Sequence, residues 1–272
     1  MQKDENKKGK PGAVFYIMFF ILLAVFLFSS YKVITGLLKS EKEKKGFEDL
    51  AAIVAANRDT SNNTQQDPSS VPSDGQDGDQ GPLRQYLPLF EMNPDFFGWL
   101  YIEDTGIDYP VMYTPDRPEY YLHRAFDGSY SDSGVPFIDA RCPSDGNFLL
   151  IYGHHMRNKT MFGQLPKYAD QSFCEQHPVI HFDTLNEQRE YRVIAAFYSR
   201  VYAKDETGVF RYYEYTNLID EEIFNEYIRQ VKAAAIYDTG FDVSYGDEIL
   251  TLSTCSYHTA DGRFVVVASR CS

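Results

Sequence analysis

A cysteine, a histidine and an arginine stand at the ends of three apolar, strand-like runs. Cys255 closes Thr251-Leu252-Ser253-Thr254-Cys255. Arg263 opens Phe264-Val265-Val266-Val267, and His154 follows Leu149-Leu150-Ile151-Tyr152-Gly153. A thiolate attacks a carbonyl where a thiol does not, so a reactive cysteine needs a base or positive charge beside it. Imidazole works as acid and base near neutral pH. A fixed guanidinium holds a carbonyl oxygen as it becomes an oxyanion. Together these groups suit the cutting and rejoining of a peptide bond. Each has a plainer explanation too. A free cysteine is commonly a small buried hydrophobe, and His154 or Arg263 would serve equally as structural or surface residues. The placement weighs against that, because a strand end is rigid yet accessible.

The elements that would position these groups are mainly β. Strand-like runs cover 98–102, 107–112, 134–138, 147–152, 179–182, 190–198, 248–253 and 263–269, separated by turn residues. About eight such strands imply an antiparallel barrel or sandwich. If the last two pair antiparallel, Arg263 folds back beside Cys255. Residues 83–92 suit a short helix, and Asn93-Pro94-Asp95 reads as a cap with proline at the first helical position. Residues 220–237 place Ile223, Phe224, Tyr227, Ile228, Val231 and Ala234 at helical spacing, with Asp220 as N-cap. The expected class is therefore α+β. His155 and His258 complicate the assignment of the base, and a zinc site from His154, Cys255 and His258 stays an alternative.

The N-terminal third is organised differently. Phe15 to Phe28 is almost purely apolar, the apolar character starting at Ala13. With Ser29-Ser30-Tyr31 the stretch reaches the ~20 residues that a membrane helix needs. Lys32 and a charged stretch follow instead of a small-residue cleavage site, so residues 13–31 read as an uncleaved signal-anchor. Lysines flank it on both sides, and charge alone gives no orientation. The short tail, 1–12, suits a cytoplasmic N-terminus with the rest outside the cell. Residues 32–57 read as a helical stalk, and 58–82, rich in Ser, Asn, Gln, Asp, Gly and Pro, as a disordered linker. The folded domain then occupies 83–272.

The 272-residue chain carries a net charge of −13. Residues 1–45 hold 9 Lys/Arg and 4 Asp/Glu, leaving 17 and 35 for the remainder. An acidic body argues against nucleic acid as a partner, since phosphates attract clustered Lys and Arg. The four cysteines, Cys142, Cys174, Cys255 and Cys271, include no C-x-x-C pair, which argues against a zinc ribbon or thioredoxin-type site. If Cys255 stays a free thiol, at most one disulfide can form among the others.

Thr251-Leu252-Ser253-Thr254-Cys255 with Arg263, Tyr152-Gly153-His154 and the late helix together resemble a class B sortase. The similarity extends through Gly98-Trp99-Leu100, Ile107 to Val111, Gly134 to Asp139, Thr160-Met161-Phe162 and Val265 to Ala268, covering about residues 83–270. The resemblance implies an eight-stranded β-barrel cysteine transpeptidase on the outer face of a Gram-positive membrane, with no metal or organic cofactor. It implies that Cys255 attacks the threonine carbonyl of a C-terminal sorting signal on secreted proteins and forms a thioester. His154, rather than His155, would act as acid and base, and Arg263 would hold substrate and oxyanion. An amine of the cell-wall precursor lipid II, or of a pilin lysine, would release the product. Ser253, Tyr152, Leu122 and, more loosely, Phe210 fall at groove-lining positions. Arg263 comes slightly sooner after the cysteine than the resemblance leads one to expect, which shortens the intervening loop.

Other cysteine enzymes fit less well. Papain-type signatures place cysteine early and histidine late. The L,D-transpeptidase pattern wants glycine before the cysteine and arginine soon after, whereas Thr254 and Ser256 flank Cys255 here. A non-enzymatic surface-binding domain on a stalk remains the alternative of a different class.

Overall fold

Eight apolar runs bounded by turn residues become strands of one closed barrel. The computed structural model describes residues 13–63 and 83–271. The expected tail, 1–12, and residues 64–82 of the expected linker lie outside them.

Helix α1 spans Ala13–Asn63, running without a break through the expected membrane segment and stalk. It also takes in 58–63, assigned to the linker by composition; that stretch contains neither proline nor glycine to stop a helix. The chain divides into two compact units, 1–46 and 47–272. In the first, every large apolar side chain from Val14 to Leu38 is exposed, and the helix is long and apolar enough to cross a membrane. In the second, Leu50 and Val54 lie one turn apart on one helix face and are buried with Tyr86, Leu89, Phe96 and Trp99. Phe47 meets the Tyr109 ring edge-on at 5.2 Å. The core of this unit thus begins before Leu83.

The strands are β1 (Phe96–Tyr101), β2 (Asp108–Met112), β3 (Phe137–Ile138), β4 (Phe148–Tyr152), β5 (Val179–Thr184), β6 (Glu190–Arg200), β7 (Ile249–Cys255) and β8 (Gly262–Arg270). They close in the order β1-β2-β3-β4-β7-β8-β6-β5. The barrel is mixed rather than wholly antiparallel: β2 pairs with β3 in parallel, as β4 does with β7. A parallel pair needs a long crossover, and the chain from β4 to β7 supplies one that contains β5, β6 and the late helix.

Helix α2, Leu87–Met92, matches the expected short helix. Asn93-Pro94-Asp95 does not begin another. Asn93 ends α2 in an extended conformation, as a residue before proline prefers. Its side-chain oxygen accepts from the Asp95 N–H at 3.0 Å, and the Phe96 N–H bonds back to its carbonyl, turning the chain into β1. Helix α3 is Gln171–Gln176, and helix α4, Glu221–Ala234, is capped by the Asp220 carboxylate on the Ile223 N–H. Phe224, Tyr227, Ile228 and Val231 form its buried stripe. It stops short of residue 237 because the chain bends to β6, where the Ile236 N–H bonds the Ala196 carbonyl.

Leu50→Ala should lower the stability of the barrel by about 2–5 kcal/mol through lost burial and the cavity left behind. Leu37→Ala, at an exposed position, should change it by less than about 0.5 kcal/mol. Denaturant unfolding followed by the fluorescence of Trp99, the only tryptophan and itself buried in that cluster, measures both.

Candidate active site

Because β4 and β7 run parallel, with Tyr152 opposite Ser253, both strands end at the same rim of the barrel. His154 leaves one end and Cys255 the other. The two ends are stitched together beyond the strands. The Gly153 N–H donates to the Ser253 carbonyl at 3.1 Å, and the buried Thr254 hydroxyl donates to the Gly153 carbonyl at 2.7 Å. The His155 ring adds a bond from Nδ1 to the Cys255 carbonyl at 2.9 Å. That carbonyl only accepts, so Nδ1 of His155 carries the proton. Gly153 is required by packing: a Cβ there would sit 2.7 Å from the Phe162 ring.

Strand β8 brings the third group. Its antiparallel register sets Cys255 directly opposite Arg263, with Cα atoms about 5 Å apart and side chains on one face. Arg263 donates through Nη1 to the Asp261 and Gly262 carbonyls at 3.3 and 3.0 Å, which fixes the guanidinium. Thr251 and Ser253, on the same face of β7, share hydroxyl–hydroxyl hydrogen bonds with Tyr227 and Tyr212, each at 2.8 Å. Cys255 at the strand end is the exposed residue of that row.

The His154 imidazole is held from the far side. The chain between β2 and β3 contains a 3₁₀ turn, Tyr120–His123. Nε2 of His154 donates to the Leu122 carbonyl at 2.8 Å, and the His123 ring stacks on it with centroids 5.3 Å apart. In the neutral ring the basic nitrogen is then Nδ1. Burial lowers the basicity of His154; the bond to Leu122 opposes this and the neighbouring His123 adds to it. The Asn93-Asp95 turn anchors this segment. Asn93 donates to the Phe126 carbonyl and to the Tyr121 hydroxyl, which in turn donates to Asp95 at 2.9 Å. Gly134 allows the close approach, since a Cβ there would lie 2.5 Å from the Tyr121 and Leu122 carbonyl oxygens.

Cys255, His154 and Arg263 line one cavity of about 560 Å³, together with Leu122, Tyr152 and Ser253. Phe210 does not line it; its ring packs among Phe197, Tyr212, Tyr215 and Tyr227. The His258 ring lies against Tyr198 at 4.8 Å, with Nδ1 2.9 Å from the Ser256 hydroxyl. No cluster of three or more His, Cys, Asp or Glu suited to a metal ion occurs among the described residues. All four cysteines are free thiols.

The fold and the cavity agree with what comparison with known proteins returns. The sortase domain model matches residues 100–271. Sortase B of Listeria monocytogenes is 31% identical over 240 residues, 86% of this chain and 87% of that protein. This chain belongs to the sortase family, class B. Sortase B of Staphylococcus aureus is 29% identical over 188 residues, 68% of this chain and 73% of that one. A solved Staphylococcus aureus sortase B–substrate complex superposes with a TM-score of 0.69 at 24% identity, covering 86% of this chain and 99% of that one. The activity common to the family is that of a cysteine transpeptidase.

The sortase cavity has walls that motif reading missed. Asp139, almost fully buried, accepts from Nε and Nη2 of Arg141 at 2.9 and 2.7 Å and from the Tyr152 hydroxyl at 3.1 Å. Burial disfavours its charge, yet the Arg141 bonds outweigh that and hold the carboxyl below its usual range. Arg141 also reaches the Tyr213 carbonyl at 2.7 Å, tying two walls together. The local signal for this pair was an acid and an arginine two apart just after an apolar run. Tyr212, whose phenol burial keeps protonated, had no local signal.

Gly153→Ala should press on Phe162, cost about 1–3 kcal/mol in stability and reduce activity by displacing His154. Thermal unfolding and acyl-transfer rates of the variant check this. The His154 titration midpoint should lie below 6.5, its value in the absence of the fold. The unfolded chain then binds that proton more tightly, so stability falls as pH drops from 6.5 through the folded midpoint. NMR titration of the ring, beside denaturant curves at several pH values, reads both.

Proposed function

We propose that this sortase is a membrane-anchored transpeptidase, its N-terminus cytoplasmic and its barrel outside the cell. It cleaves a C-terminal sorting signal of secreted proteins after threonine and transfers the acyl group to an amine of the cell-wall precursor lipid II. The observation that carries this reading is one cavity gathering Cys255, His154 and Arg263 at a single barrel rim. The Staphylococcus aureus sortase B solved as a substrate complex shares this fold, which supports substrate binding in the groove. The exposed apolar run of α1 supports the membrane anchor.

The roles follow from the chemistry of each group. With its basicity lowered, His154 is neutral at pH 7, and Nδ1 accepts the Cys255 proton as the sulfur attacks the threonine carbonyl. The C–S bond forms, and Arg263 stabilises the oxyanion. The imidazolium protonates the leaving amine as the C–N bond breaks, leaving a thioester. An incoming amine then attacks, the new C–N bond forms, the C–S bond breaks, and its proton passes through Nδ1 to the thiolate. Leu122, Tyr152 and Ser253 would contact the signal peptide along the cavity wall. Phe210 would act behind that wall, through Tyr212.

Incubating the chain with a library of sorting-signal peptides and mapping products by mass tests this. Cleavage after threonine with a Cys255-linked acyl-enzyme is expected, and Cys255→Ala should lower turnover by at least a factor of about 10³. Cleavage that survives in that variant would rule the assignment out.

A further inference from the structure

The charges of the active-site cavity divide into a committed pair and two uncommitted groups. The charged residues lining it are Glu119, Asp139, Arg141 and Arg263. Asp139 and Arg141 neutralise one another through a bidentate ion pair. Arg263 is bound to backbone carbonyls, which leaves its charge unbalanced. The Glu119 carboxylate, exposed to solvent, makes no hydrogen bond or ion pair with another described residue. The cations near it in the chain are engaged elsewhere: Arg117 pairs with Asp95 at 2.7 Å, and Arg124 donates to the Gly128 carbonyl at 3.1 Å.

Glu119 stands on the histidine side of the cavity. Its backbone carbonyl accepts from the Leu122 N–H at 2.9 Å, and the Leu122 carbonyl holds Nε2 of His154. One turn of chain thus carries both a carboxylate and the tether of the imidazole. The turn is fixed at a price in conformation: Glu119 has φ +59°, left-handed backbone that a residue with a side chain seldom adopts. Such backbone persists where its surroundings enforce it, and it clusters at sites of recognition.

Resting on the transpeptidase reading above, we propose that Glu119 is the recognition group for the cationic amine acceptor of the second half-reaction. An alkyl amine reaches the enzyme as an ammonium ion at neutral pH, since its pKa is near ~10. It must give up protons on the side of the cavity where His154 stands. A carboxylate there attracts the ammonium and orients its nitrogen, while Arg263, on β8 opposite Cys255, is left to the acyl carbonyl. The ammonium loses one proton to solvent and attacks the thioester carbon. The C–N bond forms, the C–S bond breaks, and the second proton passes by way of His154 to the sulfur. Ammonium plus thioester gives amide, thiol and one released proton.

The test compares two acceptors on the full chain acylated by a peptide it cleaves: cadaverine, a cation, and hydroxylamine, neutral at pH 7.5. Glu119→Gln should lower the ratio of cadaverine to hydroxylamine transfer about fivefold, the upper worth of an exposed ion pair. The loss should appear in KM for cadaverine and shrink in high salt. An unchanged ratio would overturn the proposal. So would an equal loss with both acceptors, or a loss confined to acyl-enzyme formation, which would assign Glu119 to the signal peptide. Wild-type chain that forms no acyl-enzyme with any peptide would instead remove the transpeptidase reading on which the proposal stands.

Discussion

The parallel pairing of β4 with β7 is the constraint on which the chemistry depends. Antiparallel neighbours would deliver His154 and Cys255 to opposite ends of the barrel, a strand length apart. Parallel neighbours in register deliver them to one rim, and the antiparallel β7/β8 hairpin adds Arg263 opposite the sulfur. Bonds from Gly153, Thr254 and His155 lock that register where the ladder itself has run out. Preorganisation of this kind matters because small misplacements of reacting groups are costly in rate.

The same rim shows how polar groups are kept where function requires them. The hydroxyls of Thr251, Ser253 and Thr254 are buried, and each has a partner: Tyr227, Tyr212 and the Gly153 carbonyl. An unpartnered buried hydroxyl would destabilise the barrel. The polar strand β7 is therefore compatible with the core only because the segment carrying Tyr212 and α4 covers it. Helix α4 thus holds the strand that ends in Cys255 without contributing a group to the cavity. Phe210 belongs to this cover, packed against Tyr212, and not to the groove surface.

Much of this was legible in the sequence, because much of it is local. All eight strands appear as apolar runs, Asp220 caps α4 as its side chain suggested, and the Cys255–Arg263 juxtaposition follows from a short hairpin. What could not be read depends on contacts between distant segments. The parallel partner of β4, β7, lies about a hundred residues away, and nothing in either strand states the direction of pairing. The Asn93-Pro94-Asp95 turn carries the residue types of a helix start, yet Asn93 and Asp95 spend their side chains on Phe126 and Tyr121. Helix α1 misled at its end for the opposite reason. Polar composition suggested a linker, but helical bonding tolerates polar residues, and burial of Leu50 and Val54 upstream gives the helix a reason to persist.

Leu122 joins two properties that are usually separate. Its side chain forms part of the cavity wall, and its carbonyl carries the hydrogen bond from the imidazole. Whatever presses on the one disturbs the other. On the proposed function, occupancy of the groove and proton affinity of the ring would therefore be linked, and linkage is reciprocal. A tightly fitting peptide would then shift the protonation of the His154 ring, and the acidity of the medium would shift how tightly that peptide is held.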